Sequence, residues 1–137
     1  MPPFFNVVAT PLFFFVGYSG PTYPRGRVMF RVHSRYLDKF VPPGDRVLEA
    51  GAGAGRFTIE LARLGAQVTV ADLSPAQLEL NALKVAEAGH TSAVVERVLL
   101  DILDCSRFRT GSCDAVVCHG SPLSYVFDGS TRRWQSC

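Results

Sequence analysis

The sequence predicts an α/β fold, a parallel sheet with helices on both faces. Three observations predict it. From residue 46 onward, short runs of apolar and β-branched residues alternate with segments of helical periodicity. The strand candidates are apolar along most of their length, so neither sheet face is left to water. A glycine-rich turn, "VLEAGAGAG" at residues 47–55, sits where the first of these strands passes into a helix. The chain has 137 residues, 47% apolar and 19% charged, which suits one domain with its own core.

The elements follow in order. In "RVMFRVHSRYLDKFV" the residues Met29, Val32, Tyr36 and Phe40 recur at helical spacing, and His33 sits beside that face, read as a packing or surface histidine in preference to a catalytic base. Pro42 and Pro43 stop this helix and Gly44 turns the chain. "RVLEA" is a short strand. "RFTIELARLG" is a helix carrying Phe57, Ile59, Leu61, Ala62 and Leu64, ended by Gly65. "QVTVAD" is a β-branched strand. "SPAQLELNALKVAEAG" starts with Ser74 as N-cap and Pro75 at the first helical position, and Leu78, Leu80, Leu83 and Val85 are its expected buried side. "AVVERVLL" and "CDAVVCHG" are the third and fourth strands of this alternation.

Residues 1–27 read differently. They hold prolines at 2, 3, 11, 21 and 24 among many phenylalanines, and are expected to form a poorly ordered apolar arm. The apolar stretch from Phe4 to Tyr18 is broken by Asn6, Thr10 and Pro11, and falls short of the roughly 20 residues a membrane-spanning helix needs. Residues 28–128 form the α/β unit and 129–137 a tail.

The net charge of +2 is too small to argue for nucleic acid, and Lys and Arg form no tight cluster. Cys105, Cys113, Cys118 and Cys137 make no C-x-x-C pair, so thiols in a reducing, cytoplasmic setting are expected. No grouping suggests a metal site.

The glycine turn carries the chemistry. Such a turn lets a ligand approach the backbone closely at a helix start. A dinucleotide fingerprint, G-x-G-x-x-G, fails in both registers, because Arg56 and Thr58 stand where its last glycine belongs. What stands instead is Glu49-x-Gly51-x-Gly53-x-Gly55. Glu49 repels a pyrophosphate and favours a ligand with an ammonium group.

This pattern resembles the first motif of the class I S-adenosylmethionine-dependent methyltransferases, which have a Rossmann-like fold. The resemblance covers roughly residues 29–128 and implies S-adenosyl-L-methionine as cofactor. It assigns Glu49 to the methionine ammonium, Gly51 and Gly53 to close backbone approach, and Gly55 to helix–strand packing. Asp72, at the tip of the next strand in "VTVADLS", can accept from both ribose hydroxyls, or cap the helix that "DLSP" precedes. By resemblance it holds the ribose and Leu73 packs on the adenine. In "LLDILD", Asp101 accepts from the adenine amino group and Ile102 offers its backbone N–H, with Asp104 a rival register. In "CHGSPLSY", His119 contacts the cofactor where the family often presents a backbone carbonyl, and Ser121, Ser124 and Tyr125 are candidates for the substrate mouth.

The family's sheet usually has about seven strands in the order 3-2-1-4-5-7-6. Here the expectation is a partial sheet of about four strands, order 3-2-1-4, truncated after the fourth. Residues 28–128 are then the cofactor-binding half of a methyltransferase domain. The implied reaction is methyl transfer to an unidentified, small-molecule acceptor, and no catalytic base can be named. The alternative is a catalytically incomplete nucleoside-binding or regulatory fragment. The fourth strand, Ala115–Cys118, is expected to be an open edge through which the chain self-associates, since the arm's prolines make it a poor strand.

Overall fold

A computed structural model describes residues 6–9, 24–102 and 104–119. Helix α1 (Pro24–Phe40) precedes the alternating part: β2 (Arg46–Ala50), α2 (Arg56–Arg63), β3 (Gln67–Asp72), α3 (Pro75–Glu87), β4 (Val94–Leu99) and β5 (Ala115–Cys118). One strand comes before them all, β1 (Asn6–Ala9). Every pairing is parallel and the sheet order is β1-β5-β2-β3-β4. Without β1 this is the expected 3-2-1-4 order.

Strand β1 corrects one expectation. Val7 pairs with Val116 and Ala9 with Cys118, so the β5 edge expected to lie open is occupied by the N-terminal arm. The reason is local. The prolines of this segment flank "NVVA" and leave its four backbone N–H groups intact, so β-branched Val7 and Val8 can pair. The rest of the arm, residues 1–5 and 10–23, and the tail at 129–137 lie outside the described residues, as do Ser121, Ser124 and Tyr125.

Alternation along the strands divides the core in two. Val47, Val68, Val70, Ala115 and Val117 face one side, with Leu37 and Val41 from α1 and its exit, Leu61 from α2 and Leu78 from α3. Leu48, Ala71, Val98 and Val116 face the other, packed by Leu100, Cys105, Phe108 and Cys113 of the β4–β5 connection. Among the described residues the helices thus cover the first face, and an irregular connection covers the second.

Helix α1 turns a different side inward than its apolar pattern suggests, and α3 buries only part of its expected side, Leu78 and Val85. On α1 the buried residues are His33 and Leu37, while Val32 and Tyr36 are 42% and 48% exposed. On α3 they are Asn81 and Val85, with Leu78 partly buried; Leu80 and Leu83 face solvent. In both cases a polar residue occupies a core-facing position because it has work inside. A guanidinium–carboxylate pair, Arg46 to Asp114 at 2.9 Å, ties the start of β2 to the turn before β5. Among the described residues no helix is long and apolar enough to cross a membrane.

Candidate functional site

The sheet reverses direction of growth at β2. The chain goes on to β3 on one side, while β5 lies on the other. In open α/β sheets ligands bind in the crevice outside the strands' carboxyl ends at such a point. Glu49, the glycine turn, Asp72 and His119 all stand there, at the ends of β2, β3 and β5.

The turn from Gly51 to Gly55 keeps φ at 70°, 57° and 97° at its three glycines, a region side chains disfavour. Gly55 is more constrained than Gly53, since a Cβ there would lie 3.0 Å from Asn81 Nδ2. The turn is stitched to β3. The N–H groups of Gly51 and Ala52 donate to Ala71 O at 2.8 and 3.0 Å, and Gly53 N–H donates to Asp72 Oδ2 at 2.8 Å. These donors are already engaged, so the turn offers close approach more than an anion cradle. That agrees with the failed pyrophosphate fingerprint.

Glu49 is 1% exposed. The Thr58 hydroxyl donates to its Oε2 at 2.5 Å, and Thr58 Oγ1 in turn accepts from Asn81 Nδ2 at 2.9 Å. Asn81 Oδ1 accepts from Arg97 Nε at 3.1 Å, so a polar chain runs from β4 through α3 and α2 to the acid. Burial, reinforced by the Asp72 carboxylate and partly opposed by the Thr58 hydroxyl, pushes the Glu49 carboxyl up to about 8. A cationic group arriving beside it would supply the missing counter-charge.

Asp72 is half-buried. Its Oδ2 holds the glycine turn and its Oδ1 accepts from Ser74 N at 2.9 Å in a local turn, while the cap of α3 is Ser74 itself and not Asp72. A carboxylate has about four lone-pair sites, so this leaves room for two hydroxyls. Leu73, beside it, is 66% exposed, an apolar side chain held out at the strand tip. Asp101 and Asp104 are exposed and Ile102 is half-buried beyond β4. Leu100 N donates to Asp72 O at 2.9 Å, which brings that segment to the end of β3. Asp104 Oδ1 accepts from Ser106 N, a local turn contact.

His119 follows Cys118, the partner of Ala50 in the β2–β5 register. It is 9% exposed, and its ring stacks on Phe57 with centroids 3.8 Å apart. His33 of α1 also stacks on the His119 ring, with centroids 5.1 Å apart. Burial pushes His119 down to about 4, with the His33 ring adding to the effect, and burial also lowers His33.

The structure brings Glu49, Gly51, Gly53, Asp72 and His119 to one sheet edge, with Leu73, Asp101 and Ile102 at its β3–β4 end. Sequence reasoning missed Thr58 and Asn81, while His33, read as a packing or surface histidine, is buried and packs on His119. A polar residue breaking an apolar helix face was the available signal for Thr58 and Asn81. Among the described residues no group of three or more metal-ligating side chains forms.

Comparison with known proteins agrees with this geometry. Residues 47–135 match the family described as methyltransferase domain. A ubiquinone biosynthesis O-methyltransferase of Xanthomonas axonopodis pv. citri is 39% identical over 77 residues, covering 56% of this chain and 31% of the relative. That of Xanthomonas campestris pv. campestris is 40% identical over 76 residues, covering 56% and 30%. The chain thus spans about a third of the length of these relatives. Among solved structures, a Methanococcus maripaludis protein assigned as an S-adenosyl-L-methionine-dependent methyltransferase has a TM-score of 0.66 at 17% identity, covering 80% of this chain and 50% of the other. Magnesium protoporphyrin IX methyltransferase of Synechocystis, solved with S-adenosylhomocysteine, has a TM-score of 0.57 at 24% identity, covering 67% and 41%. At these identities the two structures establish the fold.

Proposed function

Because the chain belongs to the methyltransferase-domain family, matched over residues 47–135, we propose that it binds S-adenosyl-L-methionine at the carboxyl edge of β2, β3 and β5 and serves transfer of the cofactor's methyl group to a small-molecule acceptor, leaving S-adenosylhomocysteine. The observation that carries the reading is the buried acid Glu49 beside a glycine turn whose Gly53 N–H is held by Asp72. Glu49 receives the ammonium, Gly51 and Gly53 admit the ligand against the backbone, and Asp72 receives the ribose hydroxyls. Leu73 covers the adenine, Asp101 and the Ile102 N–H read its edge, and the His119 backbone borders the methionine end.

When bound, the cofactor supplies an electrophilic methyl group on a sulfonium. The protein's own part is to orient it and to keep water from the crevice. The relatives' name, ubiquinone biosynthesis O-methyltransferase, supports an oxygen acceptor on a small molecule. A cytoplasmic location belongs to the same reading, on the ground of the cysteine spacing. Calorimetric titration with S-adenosylhomocysteine tests the assignment: one-site binding, tighter than to NAD, is expected, and tighter NAD binding overturns it.

A further inference from the structure

Two polar side chains stand where helices ordinarily bury apolar ones. Thr58 of α2 and Asn81 of α3 are both fully buried. Burying such groups costs stability unless their hydrogen-bonding capacity is met. Here it is met along one line. Arg97 Nε donates to Asn81 Oδ1 at 3.1 Å, Asn81 Nδ2 donates to Thr58 Oγ1 at 2.9 Å, and the Thr58 hydroxyl donates to Glu49 Oε2 at 2.5 Å. Asn81 Nδ2 also reaches Gly53 O at 3.4 Å, so the same amide touches the glycine turn.

The line has a direction, and Arg97 fixes it. A guanidinium only donates, so the amide oxygen of Asn81 faces Arg97 and its NH2 group faces Thr58. Thr58 Oγ1 accepts from that NH2 group, and its own hydroxyl proton is left for Glu49. An amide turned the other way would set donor against donor at Arg97. It would also offer the Thr58 hydroxyl an acceptor in competition with the carboxylate. Glu49 Oε2 is thus held as an acceptor, while Oε1 takes no hydrogen bond from the described residues. The Thr58 hydroxyl also works against burial to favour the ionised acid. A carboxylate–ammonium contact depends on geometry as well as charge, so the orientation of this carboxylate bears on what it can bind.

We propose that Asn81 and Arg97 are positioning residues for the cofactor's amino group: acting through Thr58, they hold the Glu49 carboxylate so that Oε1 stays open to the ammonium. The inference rests on the function proposed above and adds the residues behind the acid that give the site its preference for an amino group. The sign of the Arg97 effect separates positioning from plain electrostatics. Arg97 is a cation, so by Coulomb repulsion alone its removal should help an ammonium bind. As the start of the line, its removal should hinder it.

The test is calorimetric titration of the full chain with two ligands, S-adenosylhomocysteine and its desamino analogue, which keeps the carboxylate and lacks the amino group. The wild type should prefer the first. Asn81→Leu should lower that preference by about tenfold and Arg97→Leu by about threefold, with affinity for the desamino analogue held within about twofold. Unchanged binding of the analogue shows in the same experiment that the variant's site is folded. Arg97→Lys, which keeps a donor, should recover most of the loss. If the preference is unchanged or rises in Arg97→Leu, or if both ligands weaken together in both leucine variants, the line serves only the fold and the inference is refuted, while the cofactor assignment stands. If the wild type binds neither ligand, or binds both equally, the assignment of Glu49 to the ammonium falls and the inference falls with it.

Discussion

Replacing Glu49 by glutamine should remove a specific part of the protein's pH dependence. The carboxyl titrates near 8 in the folded chain, against an ordinary value of 4.5. Between these values the folded chain holds a proton that the unfolded chain has released. Stability therefore falls as pH rises, by up to ~1.4 kcal/mol per pH unit. The contribution is complete below the unfolded value and lost as pH passes through the folded one. His33 and His119 are lowered, so their effect has the opposite sign and is confined to pH below 6.5, their ordinary value. Between pH 7 and 8.5 Glu49 should thus cost the wild type about 1 kcal/mol that Glu49→Gln does not lose. Urea unfolding of both proteins at the two pH values measures this. Saturating S-adenosylhomocysteine should flatten the wild-type dependence, because its ammonium stabilises the ionised acid. At pH 7 its binding should release close to one proton, read from the heat in buffers of different ionisation enthalpy. Equal slopes in wild type and Glu49→Gln would refute the account of a buried, protonated acid.

Further outcomes follow from the same geometry. Asp72→Ala should weaken S-adenosylhomocysteine binding by about 1.5–3 kcal/mol, and Asp104→Ala by under about 0.5, measured by calorimetry. Thr58→Val removes the donor to Glu49 and the acceptor of Asn81, and should cost about 1–3 kcal/mol in denaturant unfolding, while Thr58→Ser should recover most of it. Gly55→Ala places a side chain at φ 97° and against Asn81, and should lower stability by about 1–3 kcal/mol, read from the melting temperature. Deleting residues 1–9 uncovers the β5 edge and should convert the chain to a self-associating species in sedimentation; an unchanged monomer would mean that β1 is not what guards that edge.

The alternation of strand and helix, the parallel sheet and the order of its four principal strands were legible because apolar periodicity and turn chemistry are local properties. The same holds for the acid-glycine turn and for Ser74 as a cap, which the structure confirms through Gln77 N–H. Three features were decided only by the assembled fold. Strand β1 exists because β5 offers an edge, and no local signal in "NVVA" outweighed its proline-rich setting. The inward face of α1 and half of that of α3 were misjudged, because apolarity ranks Val32 and Leu83 above His33 and Asn81, while Leu78 and Val85 do face the core. The crevice reverses that ranking, since Asn81 anchors Thr58 and His33 stacks on His119. The charge state of Glu49 is the clearest case. Its identity beside Gly51 marked it as a partner for an ammonium, yet a glutamate in sequence is ionised near neutral pH. Burial among β2, β3 and α2 strips its water and keeps the proton, because desolvation depends on neighbours brought together from across the chain.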